Sequence, residues 1–474
     1  MNEMSKVGTE ATAEDVAAER AVTYGTEAFL SKDYLLAEKE RLWPRVWQMA
    51  GRIEDIPEVG DFFTYEIADE SIIVVRTKAG DEPGTIRAFY NVCAHRGRQL
   101  VDVPRGSNGP KTNGVRGNRR SFICGFHGWS YDLEGRNTYI LDADDWHGTL
   151  DAQCTSLTPV RLDTWGGFVY VDMREDGESL AEFLGDAGRV LAHFELDRMR
   201  YKWRLWCRYP ANWKTSIEAF MEPYHTTSTH HQLTAYAEFY AYSKAYGLHS
   251  VSGFDQRKSA EATTQGGSVS RAGKGDDPRV STYELARENY TTINYSASTD
   301  TLIAAAARLK DELPEGTPVS EVMAHWMASA KADDAARGVT WPEIPPQVMA
   351  EAGLAWTLFP NQNILQGVTF ALAYRARPNG DDPDSCIFEA YALERYPEGE
   401  APVTEWVEAA PTESNWGKVL AQDFANMKFV HKGMKSRGFR GALPNPHQEQ
   451  KIINAHRNLA EFMGVGAPKL LEGS

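Results

Sequence analysis

Two short cysteine–histidine pairs set the tightest limit on how this chain folds. NVCAHRGRQL, from Asn91, places Cys93 two positions before His95, and SFICGFHGWSYDLEG, from Ser121, places Cys124 three positions before His127. Gly97, Gly125 and Gly128 flank the pairs, and a loop that wraps closely round a bound group needs residues without a Cβ. The neighbouring segments SIIVVR, AFYNV and GGFVYVDM are short apolar runs cut by Gly, Pro and Asp, the texture of strands and turns. The pairs are therefore expected in turns of a small all-β unit covering residues 41–173.

Cysteine usage points the same way. Cys93, Cys124, Cys154, Cys207 and Cys386 are five in 474 residues, too few for a disulfide framework, so spaced Cys and His indicate a metal site in a reducing compartment. A net charge of -16 argues against nucleic acid or an anionic membrane as partner. No apolar run approaches the roughly 18 residues of a membrane span. The polar, acidic start lacks the marks of a signal or transit peptide, so a cytoplasmic location is expected.

Zinc fingers group like with like, C-x2-4-C and H-x3-5-H, whereas here each pair mixes one thiolate with one imidazole. A [2Fe-2S] cluster with two Cys on one iron and two His on the other fits better, and neutral imidazoles raise its potential. CAHRGRQL and CGFHGWSYDLEG resemble the Rieske motif of ring-hydroxylating oxygenase α subunits. The 28 residues between His95 and Cys124 exceed the family's usual spacing and include Arg105, Lys111, Arg116, Arg119 and Arg120 with no acid between them. This insert reads as a solvated loop or, more sharply, as a docking patch for an acidic electron carrier.

A second constellation follows a strand at RYKWRLWCRYP. In ANWKTSIEAFMEPYHTTSTHHQL, Asn212 is a good N-cap and Trp213, Ile217, Phe220 and Met221 share one helical face. Pro223 disrupts that helix. His225 and His230 would point about 140° apart on an ideal helix, so an irregular turn is expected to carry them. Two His and one carboxylate on one face make an open non-haem Fe(II) site. Asp423, inside the apolar stripe Trp416, Val419, Leu420 and Met427, is the candidate acid, because an unpaired inward carboxylate is costly. His231 is a weaker rival to His230.

NWK…E…F-M-E-P-Y-H-x4-H with a late Q-D-x-x-N-M resembles the catalytic iron site of the same family. The resemblance implies His225, His230 and Asp423 as ligands to a mononuclear Fe(2+), and Cys93, His95, Cys124 and His127 as cluster ligands. It implies Glu222 as an acidic bridge to a cluster histidine of the neighbouring subunit. Ala219 stands where many members have Asn. Trp129 and Tyr131 are read as packing or as groups that tune the cluster.

The implied fold class is α+β: an N-terminal helical segment (1–40), a Rieske domain (41–173), and a helix-grip catalytic domain (174–474) with a curved antiparallel sheet over helices. Helices are expected at 213–221, 302–312, 318–338 and 416–431, and a long polar excursion at 255–300. The family also implies a head-to-tail homotrimer, with or without a small β subunit, and electrons from NAD(P)H through a flavin reductase or ferredoxin. Dioxygen and an aromatic or polycyclic hydrophobic substrate complete the expected set, with residues 232–345 and Trp356–Asn361 expected near the pocket. Cis-dihydroxylation, single hydroxylation and demethylation share such a site. A non-catalytic electron-transfer protein would not need the 300 residues beyond the cluster unit.

Overall fold

The computed structural model describes residues 7–82, 84–102, 114–237, 239–255 and 277–472, which form two compact units. The first comprises Leu36–Phe183 with Asn379–Asp381, against the expected 41–173. Its seven-stranded sheet runs, in spatial order, Gln48–Arg52, Phe168–Asp172, Pro159–Trp165, Ile86–Tyr90, Glu70–Arg76, Asp61–Ile67 and Arg116–Asn118. Glu70–Arg76 reads ESIIVVR and is buried from its second residue on, so its apolar run is continuous rather than alternating. A smaller sheet of Phe122–Ile123, Ser130–Tyr131 and Asn137–Tyr139 turns Cys124–Trp129 into a hairpin loop. Phe62, Ile73, Val75, Phe89, Tyr131 and both motif cysteines share one core.

Residues 105 and 111 of the basic insert lie outside the described residues. Of the rest, Arg116 pairs with Asp55 at 3.1 Å and Arg119 covers the Phe62 ring, so these two are held to the unit rather than simply solvated.

The second unit holds the remaining chain around an eight-stranded sheet. Its order is Ala241–Tyr246, His249–Phe254, Ala355–Leu358, Gln362–Gln366, Phe370–Pro378, Cys386–Glu394, Arg200–Tyr209 and Trp406–Glu408. All neighbours are antiparallel except the last pair, a departure from the purely antiparallel sheet expected. Helices Trp213–Glu218, Lys418–Met434 and Gln450–Met463 carry buried faces in this unit. The first is shorter than the expected 213–221, because its C-cap falls at Ala219, ahead of Pro223.

Two expectations are corrected. The N-terminal segment is not wholly helical: Val7–Glu10 and Val22–Thr23 pair with Lys469–Leu471, a partner more than 400 residues away that no local pattern announces. The excursion 255–300 contains the helix Pro278–Thr292, started by an Asp277 cap and Pro278 at its first turn, while 256–276 lie outside the described residues.

Glu389 sits fully buried in the middle of the sheet, directly across from Arg375 at 2.6 Å and 3.4 Å from Arg377. Burial alone would raise its acid, but the two guanidinium charges win and hold it at about 2 against an ordinary 4.5. A depressed acid contributes stability that is complete above the unfolded value and disappears as pH falls through the folded one, here from about 4.5 to about 2. Glu389→Gln should therefore destabilise this unit at pH 7 by about 3 kcal/mol from the linked charge alone. In urea unfolding the gap to the parent should narrow by roughly 2 kcal/mol at pH 3. An equal gap at both pH values would remove charge pairing as the cause.

Candidate metal centres

The two cysteine loops are built alike. The Cys93 N–H donates to Arg98 O at 2.8 Å and the Gly97 N–H donates back to Cys93 O at 3.0 Å; Cys124 N–H to Trp129 O and Gly128 N–H to Cys124 O repeat these bonds at 2.8 and 3.0 Å. Gly97 and Gly128 both have positive φ, 75° and 76°, which is why glycine ends each loop. The loops bring His95 and His127 together, ring centroids 4.7 Å apart. Trp129 stacks on His95 at 4.9 Å with only 6° between planes. The Tyr131 hydroxyl lies 3.2 Å from Cys93 Sγ and accepts the Ala94 N–H. Both residues thus contact the cysteine–histidine set from within the packed core.

Desolvation, then the charges of His127 and Arg96, lowers the His95 pKa, which favours the neutral imidazole a metal requires. His127 Nδ1 is buried with no hydrogen-bond partner among the described residues. Two buried thiols and two neighbouring imidazoles, one with an orphaned nitrogen, fit a [2Fe-2S] group with mixed ligands.

In the larger unit, Pro223 and the single turn Thr226–Thr229 place His225 just before and His230 just after one helical turn. Asp423 comes from the Lys418–Met434 helix, where it is 3% exposed. That helix begins at Gly417 with φ 81°, and a Cβ there would lie 2.6 Å from both Asn294 N and Thr292 O. One ligand atom from each of His225, His230 and Asp423 falls within 4.8 Å of the others. Asp423 Oδ1 faces His230 Nε2 at 3.1 Å and His225 Nε2 at 3.3 Å, yet has no hydrogen bond of acceptable geometry among the described residues. His231, the weaker rival, is exposed.

The far nitrogens are fixed by supporting groups. His225 Nδ1 meets Glu222 Oε1 at 2.7 Å while the His225 N–H donates to the same carboxylate at 3.0 Å. His230 Nδ1 meets Gln422 Oε1 at 2.9 Å. Both rings therefore turn Nε2 toward Asp423, the arrangement of metal-bound histidines. Burial works against charge on His225, but Glu222 and Asp423 push its pKa well above the ordinary value. Burial likewise opposes the Asp423 carboxylate, and the two imidazoles hold it below the usual range. Such a pocket calls for positive charge, and its two nitrogens, one carboxylate and orphaned Oδ1 fit a divalent iron with open positions.

Gln422 was not singled out from sequence, although it precedes Asp423 in the Q-D pair. It takes the supporting-amide role that Ala219 cannot. Gln422→Ala should weaken metal binding at this centre by about 10- to 100-fold without changing the cluster spectrum, read by iron competition with a chelator. Unchanged affinity would make the contact incidental.

A cavity of about 490 Å³ opens beside the triad, lined in part by Thr215, Glu218, Glu222, Met427, Glu449 and Ile452. Its described walls come from 215–229 and 423–452 with Tyr24. Glu218 is held by His456 at 2.7 Å. Burial first, then the charges of Glu222 and Glu218, raises Glu449 to about 7 against a hydrogen bond from Asn445. Neither acid carries a local motif signal. No described helix is long and apolar enough to cross a membrane.

Residues 46–145 match the family model described as the Rieske [2Fe-2S] domain, and residues 192–465 match the ring hydroxylating alpha subunit catalytic domain. The chain is 32% identical over 196 residues to the glycine betaine monooxygenase oxygenase subunit of Chromohalobacter salexigens, covering 41% of this chain and 40% of that one. It is likewise 32% identical over 213 residues to the biphenyl 2,3-dioxygenase subunit alpha of Rhodococcus jostii, again covering 41% and 40%. The matched stretch thus spans about two fifths of these relatives' length. The fold resembles the quaternary ammonium Rieske monooxygenase CntA with L-carnitine (TM-score 0.60, 15% identity, 96% of this chain and 99% of that one). It also resembles naphthalene 1,2-dioxygenase with indole (TM-score 0.60, 17% identity, 93% and 92%). With twin cysteine–histidine loops in one unit and a His–His–Asp triad in the other, this chain belongs to the Rieske ring-hydroxylating oxygenase α-subunit family, whose members carry a [2Fe-2S] cluster and a mononuclear iron.

Proposed function

We propose that this chain is an oxygenase component that uses dioxygen to hydroxylate or cis-dihydroxylate an aromatic or polycyclic hydrophobic substrate. Electrons come from NAD(P)H through a flavin reductase, alone or with a ferredoxin. The observation that carries the reading is the buried triad with its unsatisfied Asp423 Oδ1 beside an open cavity. When bound, the two iron groups supply electron storage and dioxygen chemistry. Cys93, His95, Cys124 and His127 hold the first, and His225, His230 and Asp423 hold the second. Glu222 orients His225 and offers its carboxylate as the bridge to a cluster histidine of the next subunit in a head-to-tail trimer, a contact that closes into a ring.

A second reading is monooxygenation of a quaternary ammonium compound. It is favoured by Glu218, Glu222 and Glu449 lining one cavity, since carboxylates complement a fixed cation. The test supplies purified protein with reductase, NADH and isotopically labelled dioxygen. Aromatic, steroid-like and quaternary ammonium candidates are then compared. Label in an aromatic product supports the first reading, and a dealkylated amine formed with label in the aldehyde that leaves it supports the second. Absence of labelled product and of dioxygen uptake across the panel ends both.

A further inference from the structure

His225 and His230 are held by different chemistry. Glu222 meets His225 Nδ1 with a carboxylate, and either of its oxygens accepts, so no rotation of that group places a donor on the ring. His230 Nδ1 meets an amide instead, with Gln422 Oε1 at 2.9 Å. An amide has a wrong end: turned end for end it keeps its shape but offers Nε2, which only donates. A donor there would drive the His230 proton to Nε2, the atom that faces Asp423 Oδ1 at 3.1 Å and that a metal needs bare. A lone glutamine therefore leaves the tautomer of this ligand open.

Gln232 is placed to close it. Its Nε2 donates to Gln422 Oε1 at 2.9 Å, and its Oε1 accepts from Gln422 Nε2 at 3.3 Å. Head-to-tail pairing of this kind opposes the turning of either amide alone, since carbonyl would then face carbonyl and amino group face amino group. Turning both together keeps their mutual bonds but costs His230 as a ligand, so bound metal holds the pair in the orientation seen. Gln232 lies two residues past His230, and Gln422 directly precedes Asp423. The pair thus also straps the histidine turn to the helix Lys418–Met434, as Asn426 Nδ2 does by donating to Thr229 Oγ1 at 3.1 Å. Strapping and tautomer control are separable roles.

We propose that Gln232 is a positioning residue of the mononuclear metal centre. It keeps the Gln422 carbonyl on His230 Nδ1, which keeps the His230 proton on that nitrogen and leaves Nε2 for the metal. The inference rests on the reading of His225, His230 and Asp423 as the ligands, and it carries their support one residue beyond Gln422. Metal affinity then depends on hydrogen-bond polarity at position 232, and not only on the fit of the turn against the helix.

Anaerobic Fe(II) binding by the full chain with its cluster in place, read by chelator competition, tests this. Gln232→Met removes both bonds at nearly constant size and should weaken Fe(II) binding by about fivefold. Gln422→Glu should bind at least as tightly as the parent, because a carboxylate still accepts from His230 Nδ1 and has no wrong end. In that background Gln232→Met should change affinity by less than about twofold. A strap would behave otherwise, since the bond from Gln232 Nε2 to the carboxylate would still be there to lose. Equal losses from Gln232→Met in both backgrounds would overturn the proposal. Parental affinity in Gln232→Met, or weakened binding in Gln422→Glu alone, would overturn it as well. Failure of the ligand reading shows differently, as Fe(II) binding that Asp423→Ala leaves unchanged.

Discussion

Asp423→Ala should yield a chain that keeps its cluster colour and reduction behaviour but no longer retains the mononuclear iron. Oxygen incorporation should fall further than the about 10- to 100-fold that loss of a supporting residue costs, because a ligand itself is gone. The reason is geometric. His225 and His230 are held by Glu222 and Gln422 with both Nε2 atoms aimed at one carboxylate oxygen, and removing it leaves two neutral ligands where three charge-matched groups stood. Folding should suffer little, since among the described residues only these two imidazoles act as counter-charges on the carboxylate. Iron analysis beside chelator competition reads the result. A variant with full iron and full turnover would show that the ligand is another acid.

Cys124→Ala should give the second large effect, in the other unit. Cys124 and Cys93 are 3% and 2% exposed within the same core as Phe62, Ile73, Phe122 and Tyr131. A group held by these thiolates ties two loops to that core, and its binding energy is folding energy. The variant should be colourless, lack the cluster's magnetic resonance signal, and melt lower in the Leu36–Phe183 unit by about 10 °C or more. Mononuclear iron content should be unchanged, since His225, His230 and Asp423 belong to the other unit. A brown variant with the parent's spectrum would remove Cys124 from the ligand set.

The residues needed to write these tests were legible in the sequence for a physical reason. Thiolates beside imidazoles are rare, the glycines that end both loops are demanded by positive φ, and Pro223 announces a break just before His225. Asp423 was legible because a carboxylate inside an apolar stripe needs a partner. Gln422 was not, since an amide beside an acid looks ordinary until a distant element brings it to His230. The pairing of Val7–Glu10 with Lys469–Leu471 and the parallel Trp406–Glu408 strand were equally hidden, because register between remote segments leaves no periodic trace.

The bare backbone contact at Gly417 ties two parts of the chain that otherwise look independent. With nothing but a hydrogen on Gly417 facing Thr292 and Asn294, and with Asn294 Nδ2 donating to Asn415 O at 3.2 Å, the excursion's first helix abuts the start of the helix bearing Asp423. A change in this excursion therefore bears directly on the start of the helix that carries Asp423. Recombination between relatives should therefore succeed only when residues 278–294 and 413–434 are inherited together.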